Sequence, residues 1–269
     1  MDDGRLTLFP PRWRILIVMA VTLVYFVYLA ALAGVRRRLT PLIVSLVTLA
    51  CVVLVGMAHV MPLIYLLVGY RLPALLVRTH NLSFERGLVR LDRRVFGPDG
   101  LERFNRDAPR VVLEYLELAY LLCYATVPIG FAWLALAGGE DVSGMFWSTV
   151  LLASFSCYGL LPWLATRAPR AGEPAFPRRP SVIRNVNLRV LGLASVQWNT
   201  FPSGHTAASL ATALAVGSVS PEVGTGLGVL AISIAIGSVV GRYHYAADAV
   251  AGALMAIGAF AMASAAHAP

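Results

Sequence analysis

The chain has 269 residues, of which 58% are apolar and 13% charged, and its mean hydropathy is +0.72. This composition excludes an ordinary soluble domain and indicates an integral membrane protein whose size suits one helical bundle. The formal net charge is +8, all 22 basic residues are arginine, and their positions beside apolar segments indicate the lipid bilayer, not nucleic acid, as a partner.

Seven apolar segments predict an all-α fold, a polytopic transmembrane helical bundle of six to seven spans. The approximate bounds of the segments are Ile15–Ala33, Pro41–Val68, Val111–Ala137, Met145–Ala165, Thr206–Val219, Val223–Val240 and Tyr245–Ala266. The first segment is too long for a secretory signal peptide and has no clear small-residue cleavage site, so we expect a retained span. The fifth and sixth are short, which indicates tilted helices or continuation into the neighbouring loops.

An arginine-rich connector, Gly69–Arg110, separates the second and third spans. Within it, Leu82–Phe96 predicts an amphipathic helix, because Leu88, Leu91 and Val95 share one face. We expect this helix to lie in the plane of the membrane interface, and a small solvated cap is the alternative.

Other polar residues have simpler interpretations. The single histidine of the second segment, His59, is expected to be a packed or hydrogen-bonded residue. Glu114 and Glu117 near the start of the third segment are expected to complement the helix dipole, and a polar site is the alternative. A second basic, proline-rich connector, Arg167–Gln197, shows no periodicity that predicts a helix.

The stretch Trp198–Ser209, WNTFPSGHTAAS, places a histidine behind Pro-Ser-Gly at the start of an apolar segment. Ser203 is a good helix N-cap, and Gly204 lets the backbone approach a ligand closely. His205 would then lie in the first helical turn, among N–H groups that have no partner in the helix. Helix starts of this kind attract anions, and phosphate is a common one.

A second histidine lies downstream in GRYHYAADAVAG, with Asp248 four residues after His244. Residues at this spacing share one face of a helix, so the carboxylate can reach the imidazole. If the fifth span leaves one membrane face and the sixth returns to it, His205 and His244 emerge together. The same count brings Arg167 and Arg170 to that face.

Two histidines, a carboxylate and nearby arginines are the groups needed for phosphoryl transfer through a phosphohistidine. One imidazole attacks phosphorus in its neutral form, and the other, protonated, donates to the leaving oxygen. Arginine forks would hold the non-bridging oxygens. Three alternatives stay open: histidines that only cap helices at the interface, a transporter that uses the cluster as a proton or phosphate relay, and a metal site.

Two of these motifs resemble a known family. FPSGHT at 201–206 and RYHYAAD at 242–248 are similar to the second and third signature motifs of the type 2 phosphatidic acid phosphatase superfamily. The compact His-Tyr-x-x-Asp form and the turn Ala168-Pro169-Arg170 look more like the inositol phosphorylceramide synthase branch. The resemblance is specific at the histidine motifs and extends from about Glu114 to the end of the chain.

The resemblance implies a role for each matching residue. His244 matches the nucleophile and Asp248 its partner, while His205 matches the acid that protonates the leaving group. The backbone at Ser203 and Gly204 matches the phosphate-binding segment. No metal and no cofactor are implied.

The arginines of this chain depart from the family pattern. The usual first motif, a lysine with a distant Arg-Pro pair, is absent in its normal form. Arg170 is the best substitute, and Arg179 is a weaker one. Arg242 precedes His244 by only two residues, closer than usual, but it is retained as a candidate phosphate ligand.

The resulting expectation is an integral membrane lipid phosphatase or phosphotransferase of the bacterial inner membrane. Residues 1–110 would form an N-terminal two-span hairpin with its connector, and residues 111–269 the catalytic membrane bundle. A membrane lipid is the expected substrate, and the sequence gives no indication of its identity or of an oligomeric state.

Two arguments about orientation conflict. The seven-span count puts three arginines after the first span and nineteen on the active-site face, so the positive-inside rule predicts a cytoplasmic site. The resemblance implies an extracytoplasmic site, which we favour because the rule discounts long loops.

Overall fold

The computed structural model describes residues 12–57, 60–137, 140–172, 181–196, 198–199 and 201–267. His59 and Arg179 therefore lie outside the described residues. The described chain is helical, which confirms the all-α prediction, and its only other ordered pairing is a single bridge between Thr166 and Asn199. The helices are α1 Arg12–Val35, α2 Leu39–Leu54, α3 Met61–Arg71, a 3₁₀ helix Leu72–Leu76, α4 Leu82–Phe96, α5 Gly100–Asp107, α6 Arg110–Leu121, α7 Cys123–Leu136, α8 Glu140–Gly159, α9 Leu161–Leu164, α10 Pro169–Gly172, α11 Val182–Ala194, α12 Gly204–Gly217, α13 Pro221–Val240 and α14 Ala246–Ala266.

Among these described helices, four segments are long and apolar enough to cross a membrane. They are Arg14–Val35, Ser143–Leu164, Pro221–Val240 and Ala246–Ala266. A fifth span results if α6 and α7, bent by 60° at their junction, are counted as one. The predicted count of six to seven is higher because it includes α12, which has only 14 residues, and the apolar run now divided between α2 and α3.

The predicted second span, Pro41–Val68, is wrong as a single crossing. The chain turns at Gly56, whose φ of 70° suits glycine, and Tyr65 of α3 donates to the Gly56 carbonyl at 3.0 Å. Arg36, just before α2, donates to the carbonyl of Leu76 at the end of the 3₁₀ helix. The two ends of this segment therefore meet, and α2 and α3 form a hairpin that returns to the face it left.

Because of this hairpin, the first span crosses in the direction opposite to the one that the seven-span count predicts. Arg36 also donates to the carbonyl of Pro162 in α9, the helix directly before α10, which carries Arg170. At the other end of the bundle, a Cβ on Gly144 would lie 3.0 Å from Arg14 and 3.3 Å from His267. The arginines after α1 therefore lie at the same end as the candidate site, not opposite to it as the seven-span count predicted.

Helix α12 is the central element, in contact with α7, α8, α13 and α14. Small side chains make this position possible, because they allow neighbouring helices to approach closely. A Cβ on Gly130 of α7 would lie 2.3 Å from Thr212, and one on Gly224 of α13 would lie 2.2 Å from the Cα of Gly217. The buried residues of α12 are Gly204, Thr206, Ala207, Ala208, Ser209, Ala211, Thr212, Ala213, Ala215 and Val216.

The predicted amphipathic helix forms as α4, with the predicted bounds. Its buried face carries Glu85, Leu88 and Asp92, whereas Leu91 and Val95 are exposed. The predicted apolar face is thus divided: Leu88 packs inward, and the other two point outward. An outward apolar edge on a helix at the end of the bundle fits a position in the membrane interface.

Polar contacts hold α4 against the bundle. Glu85 accepts hydrogen bonds from the backbone and the guanidinium of Arg167, both at 2.8 Å. Asp92 accepts the N–H of Ala246 at 3.0 Å and so satisfies a free donor at the start of α14. The first connector is therefore bonded to the segment that carries Arg167 and to the start of α14, next to His244.

The second connector, for which we predicted no helix, contains α11. Its N-cap is Ser181, whose hydroxyl accepts the N–H of Arg184 at 3.0 Å. Polar contacts to α6 hold it in place, and such contacts between distant segments leave no periodic pattern in the sequence.

Candidate active site

His244 and Asp248 form the predicted histidine–carboxylate pair. Nδ1 of His244 lies 3.2 Å from Oδ2 of Asp248, and both side chains are buried. His244 precedes α14, which begins at Ala246, so a bend in the chain and not a helical face brings the ring to the carboxylate. This contact places the ring proton on Nδ1 and leaves the lone pair of Nε2 for reaction.

Asp248 has two further donors on the same oxygen. Oδ2 accepts the side-chain amide of Asn199 at 2.7 Å and the backbone N–H of Tyr245 at 3.0 Å. Asn199 is itself held by Thr166, through a backbone bond of 2.8 Å and a side-chain bond of 3.1 Å. Three donors thus converge on one oxygen and hold the carboxylate toward His244. The sequence interpretation overlooked Asn199, although it lies in the histidine stretch.

The start of α12 has the predicted cap. The hydroxyl of Ser203 accepts the N–H of Thr206, and the backbone N–H of Ser203 donates to the carbonyl of Asp248 at 2.8 Å. A Cβ on Gly204 would lie 2.2 Å from the ring of Tyr158. The close approach that this glycine permits in the structure is therefore to an aromatic ring.

The structure brings the two motif histidines together. The ring centroids of His205 and His244 are 6.1 Å apart, with an interplanar angle of 74°. Tyrosines surround the other sides of His205: Tyr70 at 6.2 Å, Tyr120 at 5.9 Å and Tyr124 at 5.2 Å between centroids. The space between the histidines is thus bounded by aromatic walls.

Arg170 lies beside this pair. Its backbone N–H donates to the carbonyl of Arg242 at 3.1 Å, and its guanidinium carbon is 5.3 Å from the ring centroid of Tyr243. The guanidinium carbon of Arg184 lies 5.5 Å from the same centroid, and Tyr243 directly precedes His244, so both arginines lie near the nucleophile candidate.

Arg242 lies elsewhere. Its side chain is 9% exposed and lines a small cavity of about 60 Å³ with Asp92 and Tyr245, beside α4 and α5. Its φ of 63° is unusual for a non-glycine residue. This backbone geometry turns its carbonyl toward Arg170, so Arg242 reaches the site through its main chain.

The dipole role expected for Glu114 and Glu117 is wrong, because α6 begins at Arg110 and has no acidic residue in its first turn. Glu117 instead lies at the site. Its carboxylate accepts hydrogen bonds from Arg184 at 2.6 Å, Asn187 at 2.8 Å and the hydroxyl of Tyr243 at 2.6 Å. The polar-site alternative therefore applies to Glu117.

A large apolar cavity of about 580 Å³ reaches His205 from the side of the hairpin of α2 and α3. Its wall combines residues of α2, α3, α7, α8 and α12, and among its few polar groups are His205, Arg71 and three tyrosine hydroxyls. The lining residues are Val44, Leu63, Leu66, Leu67, Val68, Tyr70, Arg71, Leu72, Leu75, Cys123, Tyr124, Val127, Pro128, Tyr158, His205 and Ala208.

Apolar helices with two histidines and a buried carboxylate at one end define an integral membrane protein with a polar site. In the part of the chain that is described, no group of three His, Cys, Asp or Glu side chains is arranged to hold a metal ion. A family model described as the PAP2 superfamily matches residues 86–262, and the chain belongs to that superfamily. Membership supports a phosphatase-type activity. No curated protein and no solved structure matched the chain.

Proposed function

We propose that this protein is a lipid phosphatase or phosphotransferase that works through a phosphohistidine on His244. The observation that carries the proposal is the pairing of His244 with the buried Asp248 at 3.2 Å, opposite His205. The pair supplies a nucleophile with a fixed tautomer, and the second histidine supplies a proton donor on the facing side.

In the first half-reaction, the lone pair on Nε2 of His244 forms a bond to phosphorus. The bond from phosphorus to the leaving oxygen breaks, and His205 gives that oxygen its proton. Burial, and then the nearby His244, lower the pKa of His205 to about 3 in the free protein. The negative charge of a bound phosphate raises that pKa, so in this mechanism His205 takes up its proton when the substrate binds. Asp248 stabilises the positive charge that appears on the His244 ring, and Arg170 holds the non-bridging oxygens.

In the second half-reaction, an acceptor hydroxyl attacks the phosphohistidine and the P–N bond breaks. His205, now neutral, takes the proton of the acceptor, and both histidines return to their starting forms. Water as acceptor gives hydrolysis, whereas an alcohol gives transfer. Phosphate binding is assigned to the backbone N–H of Gly204 at the start of α12 beside His205, since the N–H of Ser203 is already bonded to the Asp248 carbonyl.

The apolar cavity supports a lipid as the leaving group. It opens on His205, the proposed donor to the leaving oxygen, and its volume of about 580 Å³ is in the range of ligand pockets. A hydrocarbon chain there would place its alcohol oxygen at His205. In the second half-reaction the acceptor oxygen takes the place of the leaving oxygen beside His205. A lipid alcohol in the cavity can therefore act as the acceptor, which the proposed likeness to the inositol phosphorylceramide synthase branch requires.

The experiment that tests the proposal measures phosphate release from lipid phosphates by purified protein in detergent, with and without an added lipid alcohol. We expect His244→Ala to abolish turnover. Wild-type protein quenched at alkaline pH should carry a phosphoryl adduct that is absent from His244→Ala. Full activity of His244→Ala would refute the mechanism, and lipid uptake into proteoliposomes without phosphate release would establish the transporter.

We also propose that the active-site end faces away from the cytoplasm of a bacterial inner membrane. A single cysteine beside Gly100, in a variant that lacks Cys51, Cys123 and Cys157, tests this. We expect a membrane-impermeant thiol reagent to label it in intact cells. Labelling only after lysis would place the site in the cytoplasm, as the arginine distribution predicts.

A further inference from the structure

Glu117 connects three parts of the site that are distant in sequence. The carboxylate is 10% exposed and accepts hydrogen bonds from Arg184 and Asn187 of α11 and from Tyr243, which precedes His244. Asn187 also donates to the Glu117 carbonyl at 2.8 Å, and Arg184 to the carbonyl of Gly241 at 3.2 Å. One buried anion thus joins α6, α11 and the loop before the nucleophile candidate.

The phenol of Tyr243 is a hydrogen-bond donor in this arrangement. Burial, and then the negative charge of Glu117, raise the pKa of Tyr243, so its hydroxyl keeps its proton. A short bond of 2.6 Å to a carboxylate is the geometry of a charge-assisted hydrogen bond. The position of the ring is therefore set by Glu117.

The Tyr243 ring in turn contacts both ends of the site. It is stacked on Tyr120, with centroids 4.1 Å apart and planes within 3°, and Tyr120 meets His205 edge-on. The guanidinium of Arg170 lies over the Tyr243 ring at 5.3 Å, within the range of a cation–π contact. A displacement of this ring would move the anion-binding arginine and the neighbouring His244 together.

We propose that Glu117 is a positioning residue, which acts through Tyr243 to hold Arg170 at the phosphate and His244 in line for attack. The inference rests on the proposed function for its effect on turnover, but its effect on anion binding is independent of it. Phosphoryl transfer is sensitive to displacements of about 1 Å, so the loss of this contact weakens the reaction although Glu117 touches no substrate. The competing role is structural: a buried ion pair with Arg184 that only keeps α11 in place.

The test combines Glu117→Gln, Arg170→Ala and their double variant, with inorganic phosphate as the binding probe in titration calorimetry. We expect Glu117→Gln to lower kcat/KM and to weaken phosphate binding by about tenfold each. In the Arg170→Ala background, the further loss of phosphate binding should be less than about twofold, because Glu117 acts through Arg170. Equal losses in both backgrounds would overturn the inference.

Tyr243→Phe separates positioning from folding. It removes the hydroxyl that Glu117 holds but leaves the ring and the pair of Glu117 with Arg184. We expect phosphate binding and kcat/KM to fall severalfold while the protein still folds and melts cooperatively, with a melting temperature only a few degrees below that of wild type. Wild-type binding and turnover in this variant would assign Glu117 a structural role only.

Glu114→Gln is the matched control, one turn away on α6. Glu114 accepts the hydroxyl of Ser181 at 2.9 Å and pairs with Arg110, and it has no contact with Tyr243 in the described structure. We expect both measurements to stay within twofold of wild type, and a loss equal to that of Glu117→Gln would overturn the inference. If the wild type binds phosphate through this network but releases none from lipid phosphates, the proposed function fails and the positioning role stands.

Discussion

The backbone N–H of Ser203 donates to the carbonyl oxygen of Asp248 at 2.8 Å, so a main-chain hydrogen bond joins the two histidine motifs directly. The approach of α14 to the start of α12 that this bond requires is possible because Gly252 lies at the contact. A Cβ there would be 2.4 Å from the Ser203 carbonyl oxygen.

Gly252→Ala should separate the two helices. We expect it to lower the free energy of unfolding by about 1–3 kcal/mol, as other overpacked sites do, and to reduce turnover because His205 moves away from His244. The measurement is the melting temperature and kcat in detergent. Gly258→Ala is the control, since no atom lies within 4 Å of a Cβ at that position of the same helix. A wild-type melting temperature and kcat for Gly252→Ala would show that α14 can move away from Ser203 without an effect on stability or turnover.

Asp248→Asn should remove the carboxylate but keep the size of the side chain. By analogy with the catalytic triad, we expect kcat to fall about 10⁴-fold, because the amide favours the wrong His244 tautomer and does not stabilise its cation. The measurement is steady-state turnover, and a melting temperature near that of wild type shows that the variant folds. Activity within tenfold of wild type would exclude Asp248 as the partner of the nucleophile.

Leu63→Trp should fill part of the cavity beside His205. We expect turnover of long-chain lipid phosphates to fall severalfold, while a short-chain water-soluble phosphate ester is cleaved as before, since only the former needs the cavity. Leu46→Trp on the exposed side of α2 is the control, because Leu46 is 53% exposed and does not line the cavity. Equal losses on both substrates would show that the cavity does not hold the lipid chain.

The pairing of Glu85 with Arg167 predicts a pH dependence of stability. Burial opposes ionisation of Glu85, but the hydrogen bonds and charge of Arg167 outweigh it, so the pKa of Glu85 is lowered in the folded protein. The stabilisation is therefore complete above the pKa of an unfolded glutamate, about 4.3, and is lost as the pH falls through the lower folded value.

Glu85→Gln should remove that dependence. Melting curves between pH 3 and 7 should show a smaller loss of stability on acidification for the variant than for the wild type. Glu102→Gln, at an acidic residue on α5, is the control. Parallel curves for wild type and Glu85→Gln would refute the assignment.

The sequence predicted those features that depend on neighbours along the chain. Ser203 is an N-cap, as its sequence predicts. His244 contacts Asp248, as their spacing predicts, although the bend before α14 and not a shared helical face makes the contact. The turn at Gly56 was missed because it interrupts an apolar run without any polar break, and hydropathy does not distinguish a hairpin from a long span.

Residues that act through distant segments left no such signal. Asn199 is recognisable only when the chain brings it to Asp248, and Glu117 only when α11 and the loop before His244 close on it. Proximity in the sequence suggested a phosphate role for Arg242, but its side chain is directed to a different cavity. The branch within the superfamily and the division of the chain at residue 110 stay predictions.

The hairpin of α2 and α3 decides at which ends of the bundle the first and last helices begin and end. Because it returns to the face it left, α1 starts and α14 ends at the same end of the bundle, where Arg14 and His267 both approach Gly144. A pair of reporter proteins attached before α1 and after α14 would therefore sample one compartment, and the substrate site the other. A split reporter divided between the two attachment points would reassemble on a single subunit.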